Sequence, residues 1–312
     1  MAAPASPPRP VAALTGATGF LGAHLARALD AAGFAVRVLA GRAPSAPGWG
    51  AAQPQIVAGD LSDADALRSL VTGTAAIVHC AGAIKAASLD EFMAVNRDGA
   101  LRLAQVAREA APNAAFILVS SLAARSPELS AYAASKRAGE DAVAAVLGPR
   151  AVIVRPPAIY GPGDRETLTI FRAAASSPAL PVLSADARLA LIHVEDAAAA
   201  IAALANRPAA GVWALADSRP EGYGWREILG AAAAAVGKRP LLIPIPGGLV
   251  TALARTGISV GLLSKEKAGE ILHKDWAIRP SDLPPGGPAP GWSLAAGFAA
   301  TVNWYRQAGW MR

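Results

Sequence analysis

The first half of the chain alternates short apolar runs with segments whose apolar residues recur at helical spacing. The apolar runs are continuous and not broken by a polar residue at every second position. This is typical of parallel strands buried on both faces of a sheet. We predict strands at 11–14, 35–39, 55–57, 75–79, 116–119 and 151–154. We predict helices at 23–29, 63–70, 88–111 and 131–147. The alternation favours an α/β fold built on a doubly wound parallel sheet.

Beyond residue 160 the alternation loosens, although several elements are still expected. Asp196 is the predicted N-cap of an alanine-rich helix that ends at Leu204. The remaining elements are a strand at 212–215, a helix at 225–236, an extended segment at 241–243 and a closing amphipathic helix through Trp304 and Tyr305. The expected division is a disordered tail at 1–9, a sheet domain at 10–160 and 190–220, and a smaller C-terminal lobe at 161–189 and 221–312.

Three glycines, Gly16, Gly19 and Gly22, lie between the first strand and the first helix in the spacing Gly-x-x-Gly-x-x-Gly. The first can form a tight turn, the second leaves room for a pyrophosphate, and the third allows the helix to pack closely on the strand. The helix N-terminus would then offer free N–H groups to the phosphates. We therefore predict a dinucleotide site here, with a purely structural turn as the alternative.

Tyr132 and Lys136 are four residues apart in a predicted helix, so their side chains share one face. This helix follows Ser120-Ser121 at the end of the fifth strand. A free tyrosine has a pKa of about 10 and is a poor base at neutral pH, but a nearby cation favours the phenolate. The arrangement indicates an acid–base tyrosine. A core tyrosine beside a solvated lysine is the alternative.

These motifs resemble those of the extended short-chain dehydrogenase/reductase superfamily, also called the NAD(P)-dependent epimerase/dehydratase family. The resemblance extends over almost the whole chain, with similar motifs at Asp60-Leu61, Cys80-Ala81-Gly82, Val95 to Gly99, Arg155 to Pro162, His193 to Asp196, Gly291-Trp292 and Thr301 to Tyr305. It implies a Rossmann fold whose smaller lobe binds substrate. It also implies hydride transfer between a nicotinamide and a carbonyl or secondary alcohol.

The resemblance also implies roles for individual residues. The catalytic residues would be Ser121, with Ser120 as the alternate, Tyr132 and Lys136. The cofactor would contact Gly16, Thr18, Gly19, Phe20, Leu21, Arg42, Asp60, Leu61, Ala81, Gly82, Lys136 and Pro157. His193 is expected to be structural, and no metal site is predicted.

Two departures within the motifs refine the expected chemistry. Sugar-nucleotide enzymes of this family commonly carry an asparagine where this chain has Arg155-Pro156-Pro157-Ala158, so a carbonyl reductase or alcohol dehydrogenase is favoured. A sugar-nucleotide epimerase or dehydratase and a non-catalytic NAD(P)-binding subunit stay open as alternatives. No Asp or Glu ends the second strand, and Arg42 follows it with Arg37 on the strand itself, which favours NADP over NAD.

Composition narrows the partners and the compartment. Cys80 is the only cysteine, so no intrachain disulfide can form, and a reducing cytoplasm is expected. The net charge is +6, but the arginines are scattered, which does not favour nucleic-acid binding. The longest apolar run, 241–254, is interrupted by Pro244 and Pro246, so no integral membrane segment is expected. The predicted partner is a small carbonyl or alcohol substrate, and a homodimer is left open.

Overall fold

A computed structural model describes residues 8–41, 48–184, 186–245, 269–270 and 273–312. Its strands are β1 (Val11–Thr15), β2 (Ala35–Ala40), β3 (Gln55–Ala58), β4 (Ala76–His79), β5 (Ala115–Val119), β6 (Ala151–Arg155), β7 (Ala158–Tyr160), β8 (Ala179–Val182), β9 (Arg188–Leu189), β10 (Leu191–His193), β11 (Gly211–Ala214), β12 (Leu241–Pro244) and β13 (Asp275–Trp276). Its helices are α1 (Phe20–Ala31), α2 (Ala64–Val71), α3 (Leu89–Met93), α4 (Gly99–Ala110), α5 (Ala131–Leu147), α6 (Leu168–Ser176), α7 (Val194–Asn206), α8 (Trp225–Ala235) and α9 (Leu294–Gln307).

Seven parallel strands form the central sheet in the order β11-β6-β5-β4-β1-β2-β3. The chain builds one half of the sheet outward from β1 through β2 and β3, then returns to β4 on the other side of β1. The predicted doubly wound α/β fold is therefore confirmed. Ligands of such sheets bind beyond the carboxyl ends of the strands, where the strand order reverses. Here that point lies between β1 and β4.

The sheet is covered on both faces by aliphatic side chains. One face packs against α1 and α7 through buried residues such as Leu25, Leu29 and Ile201. The other face packs against α2, α4 and α5 through residues such as Leu67 and Leu103. Because both faces are buried, the strands need continuous apolar runs, as the sequence shows.

A separate core, which we call the aromatic cluster, is built around Tyr160, Phe171, Phe298 and Tyr305. Phe298 packs edge-on against Tyr160 at a ring-centroid distance of 4.9 Å and against Phe171 at 5.0 Å. Edge-to-face packing is the arrangement that aromatic rings prefer. The cluster joins α6 and α9 to the end of β7, just after the sheet's sixth strand.

Two predicted helices differ from the structure in detail. The helix expected at 88–111 is divided into α3 and α4 by a π-helical segment, Ala94–Asp98. Asp196 is not an N-cap, so that expectation was wrong. His193 caps α7, while the Asp196 carboxylate accepts hydrogen bonds from the backbone N–H groups of Gly291 at 2.9 Å and Trp292 at 3.1 Å.

Arg37 does not face a cofactor, contrary to the expectation drawn from its strand. Its Nη1 donates to the carbonyl oxygens of Ser69, Leu70 and Thr72, at distances between 2.9 and 3.0 Å. These are among the last carbonyls of α2, which lack partners within the helix. Arg37 therefore caps the C-terminus of α2.

The start of the described chain is also anchored. Arg9, expected in the disordered tail, donates from Nη2 to the Asp30 carbonyl oxygen at 2.7 Å and from Nε to the Gly33 carbonyl oxygen at 3.1 Å. These contacts hold the segment before β1 against the end of α1.

Candidate active site

The turn between β1 and α1 is shaped by its glycines. Gly16 has φ +74°, and a Cβ there would lie 2.6 Å from the backbone nitrogen of Ala81. A Cβ at Gly22 would overlap the Gly16 carbonyl oxygen, which explains how closely α1 packs on β1. Within 4 Å, a Cβ at Gly19 would meet a single atom, the Gly16 carbonyl oxygen, at a distance of 3.3 Å. Gly19 therefore borders open space, as a phosphate site requires.

The N-terminus of α1 lacks the side-chain partners found at several other helix N-termini of the described chain, a feature that it shares with α6. No side chain caps it, and its first turn carries no acidic residue. The N-termini of α2, α5 and α9 are capped by Asp63, Ser130 and Ser293 respectively. Because the first N–H groups of α1 lack such a partner and stand at the positive end of the helix dipole, they fit the phosphates of a dinucleotide.

The turn after β4 forms the opposite wall. The buried Asn96, in the π-helical segment, accepts from the backbone N–H of Ala83 at 2.8 Å and donates to the Ser135 hydroxyl at 2.9 Å. A Cβ at Gly82 would lie 3.5 Å from the Lys136 Nζ. The side chain of Asn96 thus ties the Ala81-Gly82-Ala83 turn to α5, and the turn lies beside Lys136.

Ser121 and Tyr132 meet at the carboxyl edge of the sheet. Ser121 lies close enough to Tyr132 to influence its pKa, and the Ser121 Oγ accepts from the Ala123 backbone N–H at 3.2 Å. Burial raises the pKa of Tyr132 to about 12, while Ser121 acts in the lowering direction. Tyr132 is therefore a protonated donor at neutral pH. This is opposite in direction to the pKa lowering by Lys136 that the sequence predicted.

Lys136 faces the strand ends instead of the Tyr132 hydroxyl. Its Nζ donates to the Val119 carbonyl oxygen at 2.8 Å. Burial lowers the pKa of Lys136 to about 8, and the nearby Cys80 and Glu140 oppose that shift. The ammonium thus stands between the ends of β4 and β5, next to Gly82.

Ser120, the predicted alternate to Ser121, has another partner. Its hydroxyl donates to the Glu140 carboxylate at 2.5 Å, and its side chain is buried. The structure therefore directs Ser121, and not Ser120, toward Tyr132.

Apart from Arg42, the other predicted cofactor residues lie in three places: the glycine loop with the start of α1, the end of β3 and the end of β6. Thr18 is exposed in the glycine loop, and Phe20 and Leu21 begin α1. Asp60 and Leu61 follow β3, where hydrogen bonds from Ser62 hold the pKa of the Asp60 carboxyl below its usual value. Pro157 is buried just after β6. Arg42 lies outside the described residues.

His193 occupies a packing position, as expected. Its Nδ1 accepts from the Glu195 backbone N–H at 3.3 Å, and its ring lies 4.4 Å from the Trp292 ring and 5.4 Å from the Tyr160 ring, between centroids. Burial lowers the pKa of His193, which keeps the ring neutral.

Sequence reasoning missed Glu270, which lies beside the candidate site. The Ser130 hydroxyl donates to the Glu270 carboxylate, whose charge acts to raise the pKa of Tyr132. No local pattern could have found it, since Glu270 is far from Tyr132 in the chain. Glu140 was also missed, although its position four residues after Lys136 places both on one face of α5.

The uncapped glycine turn at the strand-order reversal, with a serine, a tyrosine and a lysine beside it, is the arrangement of a dinucleotide-binding Rossmann protein. The chain belongs to the NAD dependent epimerase/dehydratase family, whose model matches residues 12–215. The cofactor is accordingly a nicotinamide dinucleotide, and the chain is an NAD(P)-dependent oxidoreductase. The predicted alternative of a non-catalytic subunit is thereby set aside.

One relative is similar over nearly its entire length. A protein of Caulobacter vibrioides named ceramide reductase is 50% identical over 310 residues, which cover 97% of this chain and 96% of that protein. A protein of Sinorhizobium fredii named uncharacterized protein y4nL is 29% identical over 253 residues, 70% of each chain.

Solved structures share the fold at lower identity. The crystal structure of gox2253 has a TM-score of 0.76 and 21% identity, covering 97% of this chain and 100% of that one. The enzyme WbmG of Bordetella bronchiseptica, crystallised with NAD, has a TM-score of 0.71 and 19% identity, covering 98% of this chain and 96% of that one.

Within the described residues, no helix is long and apolar enough to cross a bilayer. The apolar run at 241–254 lies partly outside them, from residue 246 onward.

Proposed function

We propose that this enzyme reduces the ketone form of a ceramide-type lipid, using NADPH, to the corresponding secondary alcohol. The name of the Caulobacter vibrioides relative, which is 50% identical across almost the whole of both chains, supports this substrate class. The observation that carries the chemistry is the placement of Ser121 beside Tyr132, with Lys136 one turn further along α5.

Each of the three side chains has a distinct part in this proposal. A nicotinamide dinucleotide, when bound, would supply the hydride. Tyr132 donates its hydroxyl proton to the ketone oxygen, and its raised pKa keeps that proton available across the neutral range. Ser121 hydrogen-bonds the same oxygen and orients it. Lys136 holds the nicotinamide ribose, for which its place beside Gly82 is suited.

The end of β6 supports a reductase over a sugar-nucleotide enzyme. Pro157 and Ala158 follow Arg155 there, and neither offers a side-chain amide for a sugar nucleotide. The lobe formed by 161–189 and 221–312 is the proposed substrate-binding part, because Trp276 and Ile278 of its described residues pack with Leu122 and Ala133 next to the candidate site.

NADPH is the proposed cofactor because the end of β2 lacks a carboxylate that would repel a 2′-phosphate. β2 ends at Ala40, followed by Gly41, and Arg42 comes next in the sequence. Since Arg37 is engaged in capping α2, Arg42 is the proposed phosphate ligand. Arg42→Ala should weaken NADPH binding about ten- to a hundredfold and leave NADH binding nearly unchanged, as judged from both dissociation constants. An equal change for both cofactors would contradict the assignment.

The proposed activity is tested by mixing the purified enzyme with NADPH and a synthetic oxo-ceramide in detergent micelles. Cofactor absorbance should fall with equimolar formation of the alcohol, measured by mass spectrometry. A UDP-sugar assayed in parallel should give neither isomerised sugar nor cofactor oxidation. Sugar isomerisation without net cofactor turnover would overturn the proposal in favour of an epimerase. We also infer a cytoplasmic enzyme, which cell fractionation would check, while light scattering would distinguish a monomer from a homodimer.

A further inference from the structure

We propose that Ser120, Glu140 and Arg155 form a buried positioning network that places Ser121 and Lys136 and controls the charge around Lys136. The proposal rests on the role of Lys136 given above. None of the three network residues was among the candidate cofactor ligands, and none is needed to contact substrate.

The network is closed and buried. Arg155 donates from Nε to one Glu140 carboxylate oxygen at 2.9 Å and from Nη2 to the other at 2.5 Å. The first of these oxygens also accepts from the Ser120 hydroxyl at 2.5 Å. The Glu140 side chain is 3% exposed and that of Arg155 is 17% exposed. Bidentate geometry fixes the relative orientation of both side chains.

The three residues lie on the elements that carry the proposed reacting groups. Ser120 directly precedes Ser121 after β5, and Glu140 lies one turn beyond Lys136 on α5. Arg155 ends β6 immediately before the buried Pro156 and Pro157. The network therefore joins β5, α5 and β6 at the level of the active site.

Stability alone is a weak explanation for this pair. The desolvation of a buried ion pair offsets most of its Coulomb attraction, and apolar replacements are often neutral or stabilising. An exposed pair one residue along the same helix, Arg137 with Asp141 at 3.1 Å, shows how a helix of this kind accommodates charge without burying it. The buried pair instead places the Glu140 carboxylate one turn from Lys136 and holds the Arg155 guanidinium against that carboxylate.

Lys136 is surrounded by titratable groups from several elements. His79 and Cys80 face it from β4, Tyr132 and Glu140 share its face of α5, and Arg155 of β6 is held against Glu140. Burial lowers the pKa of Lys136 to about 8, and the Glu140 carboxylate opposes that shift. Burial also lowers the pKa of His79 to about 3, so His79 stays neutral where Lys136 titrates.

The test uses charge changes of opposite sign within the pair. Glu140→Gln removes a negative charge near Lys136 and should lower its pKa, whereas Arg155→Gln leaves the carboxylate unpaired and should raise it. A shift of about 0.5–1 pH unit is expected in each direction. The double variant should return close to the wild-type value. A purely structural role would impair both single variants without opposite shifts.

The pKa of Lys136 is measured on the full-length protein without substrate, from the pH dependence of reductive methylation at Lys136 followed by site-resolved mass spectrometry. The same variants are then compared in the upper limb of the pH profile of kcat/KM. Because methylation needs no substrate, loss of the proposed ceramide activity and loss of this electrostatic effect can be told apart. Asp141→Asn is the matched control and should shift neither measurement.

Ser120→Ala keeps both charges and removes only the hydroxyl that links the pair to β5, so it tests the positioning role even if a charge variant does not fold. It should lower kcat severalfold while leaving the melting temperature and the Lys136 pKa near their wild-type values. Unchanged kcat in this variant, or shifts of the same sign in Glu140→Gln and Arg155→Gln, would overturn the proposal.

Discussion

The central sheet and the aromatic cluster are packed in different ways. The sheet is covered mainly by Ala, Val, Leu and Ile side chains on both faces. The aromatic cluster instead relies on large rings, including Phe171, Phe298 and Tyr305, that meet edge-on. Small aliphatic residues allow many equivalent packings, whereas rings with defined edges and faces specify one geometry.

The difference has a functional counterpart. The turns at the carboxyl ends of the sheet strands form the candidate site for the family's dinucleotide. The residues that matter for this site are glycines and a few polar side chains at the strand ends. The aromatic cluster contributes packed rings to the C-terminal lobe instead of polar groups at strand ends. We therefore expect changes at the strand ends to affect cofactor and chemistry, and changes in the aromatic cluster to affect stability.

Gly19→Val should have the largest effect and should act on cofactor binding alone. The φ of Gly19 is −81°, which valine can adopt, but its branched side chain would enter the space next to the α1 N-terminus. We expect NADPH affinity to fall by about 100-fold or more, with little change in the circular dichroism spectrum. Calorimetric titration measures the affinity. Wild-type affinity in this variant would show that the loop is only a structural turn.

Tyr132→Phe should reduce kcat by about 100-fold or more, because only the transferable proton is lost. The cofactor dissociation constant and the melting temperature should stay near their wild-type values. Tyr223→Phe is the control, since it removes a buried hydroxyl whose hydrogen-bond partner is Asp217, at 2.7 Å, and not a candidate catalytic residue. Near-normal turnover by the Tyr132 variant would remove Tyr132 from the mechanism.

The sequence predicted the features that depend on neighbouring residues and missed those that depend on contacts between distant parts of the chain. The bounds of α5 agree with the prediction because Ser130 caps the start and Gly148, with φ +56°, ends the helix. The π-helical segment was not foreseen, because it depends on Asn96 reaching Ala83 and Ser135, contacts between distant parts of the chain. The role of Arg37 was mistaken for the same reason, since its partners lie at the end of α2.

Sequence patterns carried less information in the C-terminal lobe. Trp304 and Tyr305 were placed in a closing amphipathic helix, but nothing local showed that the Tyr305 hydroxyl donates to the Asp164 carbonyl oxygen at 2.6 Å. Similarly, Asp196 looks like a helix cap in sequence, yet its carboxylate binds a segment nearly a hundred residues later. Local patterns specify elements, whereas contacts across the chain assign the polar groups.

Phe298→Ala tests the aromatic cluster directly. The ring is 2% exposed and contacts both Tyr160 and Phe171, so its removal leaves a cavity that we expect to cost about 3–5 kcal/mol in the free energy of unfolding. Denaturant titration followed by near-ultraviolet circular dichroism measures that loss. Below the transition, NADPH affinity should change little.

The control for this change is Leu241→Ala. Because Leu241 is 67% exposed, its replacement should change the free energy of unfolding by no more than about 0.5 kcal/mol. If Phe298→Ala abolished NADPH binding while the protein was still fully folded, the aromatic cluster would affect the cofactor site as well as stability. That result would contradict the division between the two regions.

Glu270→Gln should have the smallest effect, and it tests whether the C-terminal lobe acts on the chemistry at all. The Glu270 carboxylate contributes to the raised pKa of Tyr132, so removal of its charge should lower that pKa. Gln can still accept the Ser130 hydrogen bond, which preserves the start of α5. In the alcohol-oxidising direction Tyr132 must be deprotonated, so the rate rises with pH through the pKa of Tyr132. This rise should therefore occur at lower pH in the variant, by about half a pH unit.

The control is Asp275→Asn, which removes an exposed charge from β13 and should leave the pH profile unchanged. A profile that stays in place or moves to higher pH would mean that only burial and Ser121 tune Tyr132, and that the lobe contributes shape without charge.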